Sequence, residues 1–407
     1  MSTTSRLSPV QLTLLMCGAE IFSMTGFAAY TTLLPVLQRE WGLSNSEAGL
    51  IGGIYYAGYV AATPLLTSLT DRIDPRRIYL ASCLVSFIGA AGFALLAQGL
   101  ATALVFQILI GVGLGGTYMP GLKVLADQLE GNTQSRAVGF YTASFGIGSS
   151  VSIIVCGAIG AAFGWKWAFV YGAAGPLAAA LMVNLLIPPG KTRAAHEQAA
   201  PLFNFRPVLR NRRTLPYILG YSLHNYELFG QRSWMVAFLV FCATLRSDGA
   251  ALAGAATLAA FINMLGPVGS LTGNELAIRF GRQRVIFTAM GLSGLMACGI
   301  GWLAGLPLAV VFAVMCVHYC LMLGDSAALT SGVVAAAPPE LRGATMAVYS
   351  FIGFTAAFLA PLVFGVVLDL AGGNQDRAAW GLAFASIGIF GALSPLARWL
   401  YLRRSAG

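Results

Sequence analysis

The segment PGKTRAAHEQAAPLFNFRPVLRNRRT, residues 189–214, is the longest polar stretch in a chain that otherwise consists mostly of apolar runs. Of the 407 residues, 57% are hydrophobic and only 10% are charged, and the mean hydropathy is +0.76. A soluble domain carries roughly 25% charged residues. The composition therefore excludes a soluble globular protein and indicates a chain embedded in a lipid bilayer.

Six apolar runs precede this polar segment and six follow it, and each has about the 20 residues that a membrane-spanning helix needs. The runs lie at residues 10–36, 47–69, 78–97, 101–125, 136–161, 167–188, 215–241, 250–275, 284–304, 307–332, 344–369 and 378–401. The sequence therefore predicts an all-α membrane protein with twelve transmembrane helices. Residues 1–190 and 214–407 form its two six-helix halves, and residues 191–213 form a cytoplasmic linker.

The basic residues predict the orientation of the chain. When both termini are placed in the cytoplasm, most of the 24 Lys and Arg residues fall on the cytoplasmic side, and only Arg39, Lys166, Arg246 and Arg377 fall on the other. This asymmetry satisfies the positive-inside rule. It also accounts for the net charge of +9 without a nucleic-acid partner. We therefore expect a multi-pass protein of a bacterial-type inner membrane, surrounded by lipid, with both termini cytoplasmic.

No motif in the sequence indicates an enzyme or a cofactor. The seven cysteines lie in apolar runs and form no Cys-x-x-Cys pair, so neither a disulfide framework nor a structural metal site is expected. The chain lacks the full phosphate-binding loop Gly-x-x-x-x-Gly-Lys-Ser/Thr, a His-Glu-x-x-His helix and a Gly-x-Ser-x-Gly elbow. We therefore expect neither catalysis nor transport driven by ATP.

Two loops carry the most specific motifs. TSLTDRIDPRR at residues 67–77 follows the second apolar run, and GNELAIRFGRQR at residues 273–284 occupies the corresponding place in the second half. Together with the arrangement of six and six runs, these loops resemble those of the major facilitator superfamily, whose signature is Gly-x-Leu-x-Asp-Arg-x-Gly-Arg-Arg/Lys. The residues that match this signature are Leu69, Asp71, Arg72, Arg76 and Arg77, whereas Thr67 replaces the leading Gly and Asp74-Pro75 replaces the central one.

The resemblance covers essentially the whole chain. It implies two pseudo-symmetric six-helix halves in a monomer, with a central site that opens alternately to the two sides of the membrane. It also implies that charges in the two loops latch the halves together in one state of the transport cycle. The residues expected in this gating role are Asp71, Arg72, Arg76, Glu275 and Arg279. The alternative is that these charges only anchor the topology.

Ionisable side chains within the predicted spans point to function. Each costs at least about 2.5–3.5 kcal/mol by insertion scales, so such residues usually face a pathway or a site. The spans contain Glu20, His224, Glu227, Arg232, His318 and Asp325. They lie on the first, seventh and tenth spans, and the resemblance implies that these spans line the central cavity together with the fourth.

The seventh and tenth spans carry most of these groups. On the seventh, the spacing predicts that His224, Glu227 and Gln231 share one helix face, with Arg232 at its edge. On the tenth, His318 and Asp325 share a face and lie about 10.5 Å apart along the helix axis. A polar network that only stabilises a bend in the seventh span is the alternative interpretation.

The other two cavity-lining spans add fewer polar groups. The first carries Glu20 and Thr31, and the fourth carries Thr117 and Tyr118 just before Pro120-Gly121. Proline and glycine permit a kink in a membrane helix, and the freed carbonyl groups can then face a cavity.

The chemistry of these groups suggests two kinds of role. Glu20, Glu227 and Asp325 are candidates for proton coupling, because burial disfavours the charged form of a carboxyl group. Arg232 keeps its charge, and its planar fork can hold a substrate carboxylate with two parallel hydrogen bonds. The substrate-binding candidates are Arg232, His224, Gln231, His318, Tyr118, Thr117 and Thr31.

The sequence therefore predicts a secondary transporter that moves a small polar, anionic or carboxylate-bearing solute by alternating access, coupled to protons. Proton-driven efflux of amphipathic cations is the first alternative. The excess of acids over Arg232 favours it, but residues 145–160 of the fifth span lack the proline typical of drug antiporters. A carrier of soft, copper-like metal ions that uses Met and Cys residues of the tenth span is a lesser alternative. A receptor or a lipid scramblase would move no soluble solute at all.

Overall fold

The computed structural model describes residues 7–70, 72–188, 206–245, 252–338 and 341–405, and within these ranges the chain forms helices and turns without any strand. The helices are α1 (Pro9–Ser23), α2 (Ala29–Trp41), α3 (Asn45–Leu69), α4 (Pro75–Leu96), α5 (Leu100–Ala126), α6 (Gly131–Phe163), α7 (Trp165–Leu186), α8 (Arg206–Arg210), α9 (Leu215–Thr244), α10 (Leu252–Met264), α11 (Gly266–Phe280), α12 (Arg282–Ile300), α13 (Leu308–Leu323), α14 (Ser326–Ala336), α15 (Arg342–Leu370) and α16 (Arg377–Ser405). A short 3-10 helix, Gly301–Gly305, connects α12 to α13.

Every predicted span corresponds to one helix or to two consecutive helices. Ten helical segments in the described ranges are long and apolar enough to cross a membrane. The other two predicted spans correspond to the pair α1 and α2, which are short, and to α9, whose polar residues lower its hydropathy. The all-α membrane architecture is thus confirmed, and the structure is consistent with the predicted count of twelve spans.

Three of the predicted spans are interrupted. The first is broken at residues 24–28 between α1 and α2, the eighth at Leu265 between α10 and α11, and the tenth between α13 and α14, where Asp325 is the residue before α14. In the first break, the hydroxyl of Ser152 donates to the carbonyl of Thr25 (2.7 Å) and accepts from the amide of Ala28 (3.1 Å). A side-chain partner of this kind is needed because the membrane interior holds no water that could hydrogen-bond to the backbone groups freed by a helix break.

Glycine allows the broken helices to approach one another closely. A Cβ atom at Gly273 of α11 would collide with the backbone of Gly324, and one at Gly269 would collide with the backbone of Cys320. The backbones of α11 and α13 therefore touch along this line, as in other membrane helix pairs with small residues at the interface. This contact lies directly before Asp325, at the break between α13 and α14.

The described residues group into two compact units. The first comprises the described parts of residues 1–30 and 57–198, and the second comprises those of residues 31–56 and 199–407. The first unit has a core built from α1, α4, α5, α6 and α7, in which Tyr79, Cys83 and Tyr141 are buried. The predicted division at residues 190 and 214 stays a prediction, and residues 191–205 of the predicted linker lie outside the described residues.

Within the second unit, Asp369 at the end of α15 binds the first turn of α3. Its Oδ1 accepts hydrogen bonds from the backbone amide (3.0 Å) and side-chain amide (2.7 Å) of Asn45. Its Oδ2 accepts from the backbone amide (2.7 Å) and hydroxyl (2.5 Å) of Ser46. The backbone amides at a helix start have no partner within the helix and favour a negative charge. Asp369 therefore joins α15 to α3 through four charge-assisted hydrogen bonds.

We expect Asp369→Asn to lower the free energy of unfolding by about 1–2 kcal/mol, which is the usual cost of losing a helix cap. The amide loses the charge and cannot accept from all four donors. Thermal melting of the detergent-purified protein measures this loss. Asp127→Asn is the matched control, because the ion pair of Asp127 with Lys123 is accessible to solvent. Its loss should change stability by less than about 0.5 kcal/mol. Equal melting temperatures for the two variants would contradict the role of Asp369.

Candidate functional site

The polar face of α9 lies inside the second unit. His224 and Glu227 are 3% exposed, and Gln231 is completely buried. These are the three residues whose spacing predicted a shared helix face. Their burial places two ionisable side chains where each needs a partner, and the neighbouring helices supply one for each.

Two histidine–carboxylate pairs connect α9 to α13 and the break after it. Nδ1 of His224 lies 2.7 Å from Oδ1 of Asp325, and Nε2 of His318 lies 2.9 Å from Oε1 of Glu227. In each pair, one residue comes from α9 and the other from α13 or the break after it, and each of these two segments contributes one histidine and one acid. All four side chains are at most 4% exposed. The structure therefore brings together four of the six ionisable residues predicted within the spans.

The Glu227–His318 pair has further neighbours. The hydroxyl of Ser293, on α12, donates to Oε2 of Glu227 at 3.3 Å. On α16, the absence of a side chain at Gly391 leaves room for the same oxygen, because a Cβ atom there would lie 3.0 Å from it. Sequence reasoning missed Ser293, since a serine in an apolar helix carries no signal that distinguishes it from a packing residue.

A histidine–carboxylate pair is suited to hold and release one proton. With one shared proton the pair is neutral overall, whether the proton resides on the imidazole or on the carboxyl group. Loss of that proton leaves one negative charge in a buried place, which is costly unless a cation is near. Each pair can therefore hold one proton without a net buried charge, and release of that proton calls for a positive charge nearby.

Arg232 lies apart from these pairs. One of its terminal nitrogens, Nη2, donates to the hydroxyl of Tyr319 at 2.7 Å, and its guanidinium carbon lies 5.5 Å from the centre of the Phe229 ring. Its Nε is buried and has no hydrogen-bond partner among the described residues. Within that part of the chain no carboxylate pairs with Arg232, so its positive charge is not neutralised by an ion pair.

Gln231 also has unused hydrogen-bonding groups. Neither the oxygen nor the nitrogen of its side-chain amide has a hydrogen-bond partner in the described ranges, although both atoms are buried. Buried polar atoms are almost always satisfied in native proteins. Its predicted role in substrate binding stays a prediction, with which these unpartnered atoms are compatible.

Glu20 is the buried acid of the first unit. It is completely buried, and its Oε2 accepts hydrogen bonds from the hydroxyls of Tyr141 (2.9 Å) and Ser23 (3.4 Å). Its Oε1 has no hydrogen-bond partner, and no basic side chain of the described residues pairs with it. Glu20 lies one turn before the break that separates α1 from α2. A carboxyl group in such surroundings is suited to carry a proton, because its charged form would have no counterion.

The remaining predicted binding residues are Thr117, Tyr118 and Thr31. The hydroxyl of Thr117 is buried and donates to the carbonyl of Leu114 in its own helix. The ring of Tyr118 stacks on that of Tyr141 at a centroid distance of 6.0 Å. Thr31 is half-buried in α2 and belongs to the second unit, unlike Thr117 and Tyr118.

Of the predicted gating residues, Asp71 lies outside the described residues. Arg72 is exposed, whereas Arg76 donates to the carbonyl (2.6 Å) and side-chain oxygen (3.0 Å) of Asn184 at the end of α7. Glu275 and Arg279 form an exposed pair within α11, at 2.8 Å. The gating role of these five residues stays a prediction.

Comparison with known proteins yields one family. The profile described as "Major Facilitator Superfamily" matches residues 16–324. The "Gentisate transporter" of Corynebacterium glutamicum is 24% identical over 410 residues, which cover 94% of this chain and 85% of that protein. The "Probable 4-methylmuconolactone transporter" of Cupriavidus pinatubonensis is 25% identical over 261 residues, which cover 62% of this chain and 59% of that protein, less than two thirds of its length.

A solved structure has the same fold. The crystal structure of a variant of the nucleoside transporter NupG has a TM-score of 0.77 and covers 95% of this chain and 99% of that one. The sequence identity is 16%, so this similarity describes the fold alone.

The histidine–carboxylate pairs predict non-additive effects on stability. We expect His224→Ala to lower the free energy of unfolding by about 1–3 kcal/mol, because it leaves the buried Asp325 without its partner. The double variant His224→Ala/Asp325→Ala should cost less than the sum of the two single changes. Thermal melting of the four proteins measures this coupling, and His318→Ala with Glu227→Ala tests the second pair in the same way. Strictly additive losses would show that neither partner stabilises the other.

Proposed function

This chain belongs to the major facilitator superfamily, as its motifs predicted. We propose that it carries small carboxylates that bear a ring across the membrane by alternating access, and that this transport is coupled to protons. It is a multi-pass membrane transporter of small molecules and not an enzyme. It remains a prediction from the sequence that both termini are cytoplasmic, that the protein lies in a bacterial-type inner membrane and that it is a monomer.

The observation that carries the proposal is the unpaired charge of Arg232. Charged side chains within a membrane protein almost always pair with an opposite charge or with backbone carbonyls, and the described residues supply no carboxylate within ion-pair distance of Arg232. A substrate carboxylate would supply that charge and could accept two parallel hydrogen bonds from the planar fork. A carrier of cations would gain nothing from this group, since it would repel them.

The surroundings of Arg232 favour a ring on the substrate. Its guanidinium lies over Phe229, and the ring of Tyr56 lies 4.5 Å from that of Phe229. Aromatic side chains bind planar ligands by stacked or edge-to-face contacts. The two relatives are named for gentisate, an aromatic carboxylate, and for 4-methylmuconolactone, a ring-bearing carboxylate. Both names agree with an anionic head at Arg232 and a flat apolar body beside it.

We expect Arg232→Lys to raise the KM for gentisate at least about tenfold, which corresponds to about 1.4 kcal/mol, because a lysine cannot form the bidentate contact. Uptake of radiolabelled gentisate, 4-hydroxybenzoate and benzoate into proteoliposomes measures the effect, and benzamide, which has no charge, is the control competitor. Arg39→Lys, at an exposed position in the last turn of α2, is the matched variant and should leave the KM unchanged. An unchanged KM in Arg232→Lys would remove Arg232 as the anchor.

Charge balance supports proton coupling. In the second unit, Arg232 is balanced when one histidine–carboxylate pair has lost its proton. A bound carboxylate would take over that balancing role, so the pair would then need to regain a proton to avoid a net buried charge. Anion binding and proton binding would therefore strengthen each other, and by linkage each affinity would rise by the same factor when the other ligand binds.

We expect Glu227→Gln and Asp325→Asn to abolish accumulation of the substrate against its gradient, because each removes a group that can exchange a proton. Counterflow of labelled for unlabelled gentisate should survive, since it requires no net proton movement. Proteoliposomes with and without an imposed pH gradient separate the two activities. The coupling assignment would be wrong if both variants concentrated gentisate as the unaltered protein does.

A further inference from the structure

A chain of three side chains starts at Arg232. Its Nη2 donates to the hydroxyl oxygen of Tyr319 at 2.7 Å, and that hydroxyl donates to Oδ1 of Asn263 at 2.8 Å. The direction is fixed by chemistry. A guanidinium group can only donate and an amide oxygen can only accept, so the tyrosine must accept from one and donate to the other.

We propose that Tyr319 and Asn263 are positioning residues that aim the guanidinium of Arg232 at the substrate carboxylate. This inference rests on the proposed function, in which Arg232 anchors the anion. Tyr319 does not bind the anion itself, because its only hydroxyl proton is already donated to Asn263. It acts by holding one terminal nitrogen of Arg232 in place.

The packing around Tyr319 supports a fixed position. Tyr319 is completely buried and Asn263 is 3% exposed. Asn263 lies on the last turn of α10, two residues before the break at Leu265, and Gly266 follows that break. A Cβ atom at Gly266 would lie 3.3 Å from Cε1 of the Tyr319 ring. The break in the eighth span thus leaves room for the ring and places the amide acceptor at its hydroxyl.

A preset guanidinium matters because a long arginine side chain loses much of its rotamer freedom when it is fixed. If the chain of hydrogen bonds fixes Arg232 before the substrate arrives, this cost falls on folding and not on binding. Without Tyr319, the guanidinium would have to be ordered by the substrate itself. Loss of the hydroxyl should therefore weaken binding while leaving the later steps of transport unchanged.

The experiment measures gentisate uptake into proteoliposomes for Tyr319→Phe and Asn263→Leu. We expect the KM to rise about tenfold in Tyr319→Phe and by a smaller factor in Asn263→Leu, with the maximal rate within about twofold of the unaltered protein. The pH profile of the maximal rate should not move, because the Glu227–His318 pair is untouched. Tyr349→Phe is the matched control: it removes a buried tyrosine hydroxyl that contacts Thr330 at 2.9 Å and should leave the KM unchanged.

A double-mutant cycle distinguishes positioning from general structural damage. If Tyr319 acts only through Arg232, Tyr319→Phe should change the KM by less than about threefold in the Arg232→Lys background. An equal effect in both backgrounds would overturn the proposal, as would an unchanged KM in Tyr319→Phe alone. If thermal melting shows that Tyr319→Phe is not folded, the same cycle with Asn263→Leu tests the positioning role instead. A normal KM in Arg232→Lys would instead contradict the proposed function, so the two failures are distinguishable.

Discussion

The cost of an unpaired charge inside a membrane protein governs the arrangement of the second unit. The acids and histidines of α9 and of the tenth span would each be unfavourable alone, and the structure places every one of them in a pair. His224 meets Asp325, and His318 meets Glu227. Arg232 is the exception, since it has a neutral tyrosine as its partner. In the proposed function, a ligand supplies the opposite charge that Arg232 does not find among the described residues.

The sequence predicted which ionisable residues lie within the spans but not how they pair. Ionisable residues in apolar runs are rare enough to be found by inspection, so His224, Glu227, His318 and Asp325 were evident. Their pairing was not, because spacing along one helix cannot reveal the face of another. Arg232 was expected to bind a substrate carboxylate, and in the structure it contacts Tyr319.

The uncharged partners were beyond the reach of sequence reasoning. Ser293, Tyr141, Asn263 and Tyr319 are residue types that also serve for packing within membrane helices, and only their contacts give them a role. The helical spans were predicted well, because the hydropathy averaged over about 20 residues is little affected by a few polar residues within the run. For the same reason the breaks at residues 24–28, at Leu265 and before Asp325 were missed: hydropathy over a whole run does not detect an interruption of a few residues.

Helix α13 connects the proposed proton site to the proposed anion anchor. Glu227 and Arg232 are five residues apart on α9, so they point about 140° apart around the helix and cannot contact each other directly. The neighbouring residues His318 and Tyr319 of α13 reach both of them, one each. In the proposed function, a change in the Glu227–His318 contact that shifts this turn of α13 would also shift the hydroxyl to which Arg232 donates. In the proposed function, proton and anion binding could therefore be coupled through one helical turn, without contact between the two charges.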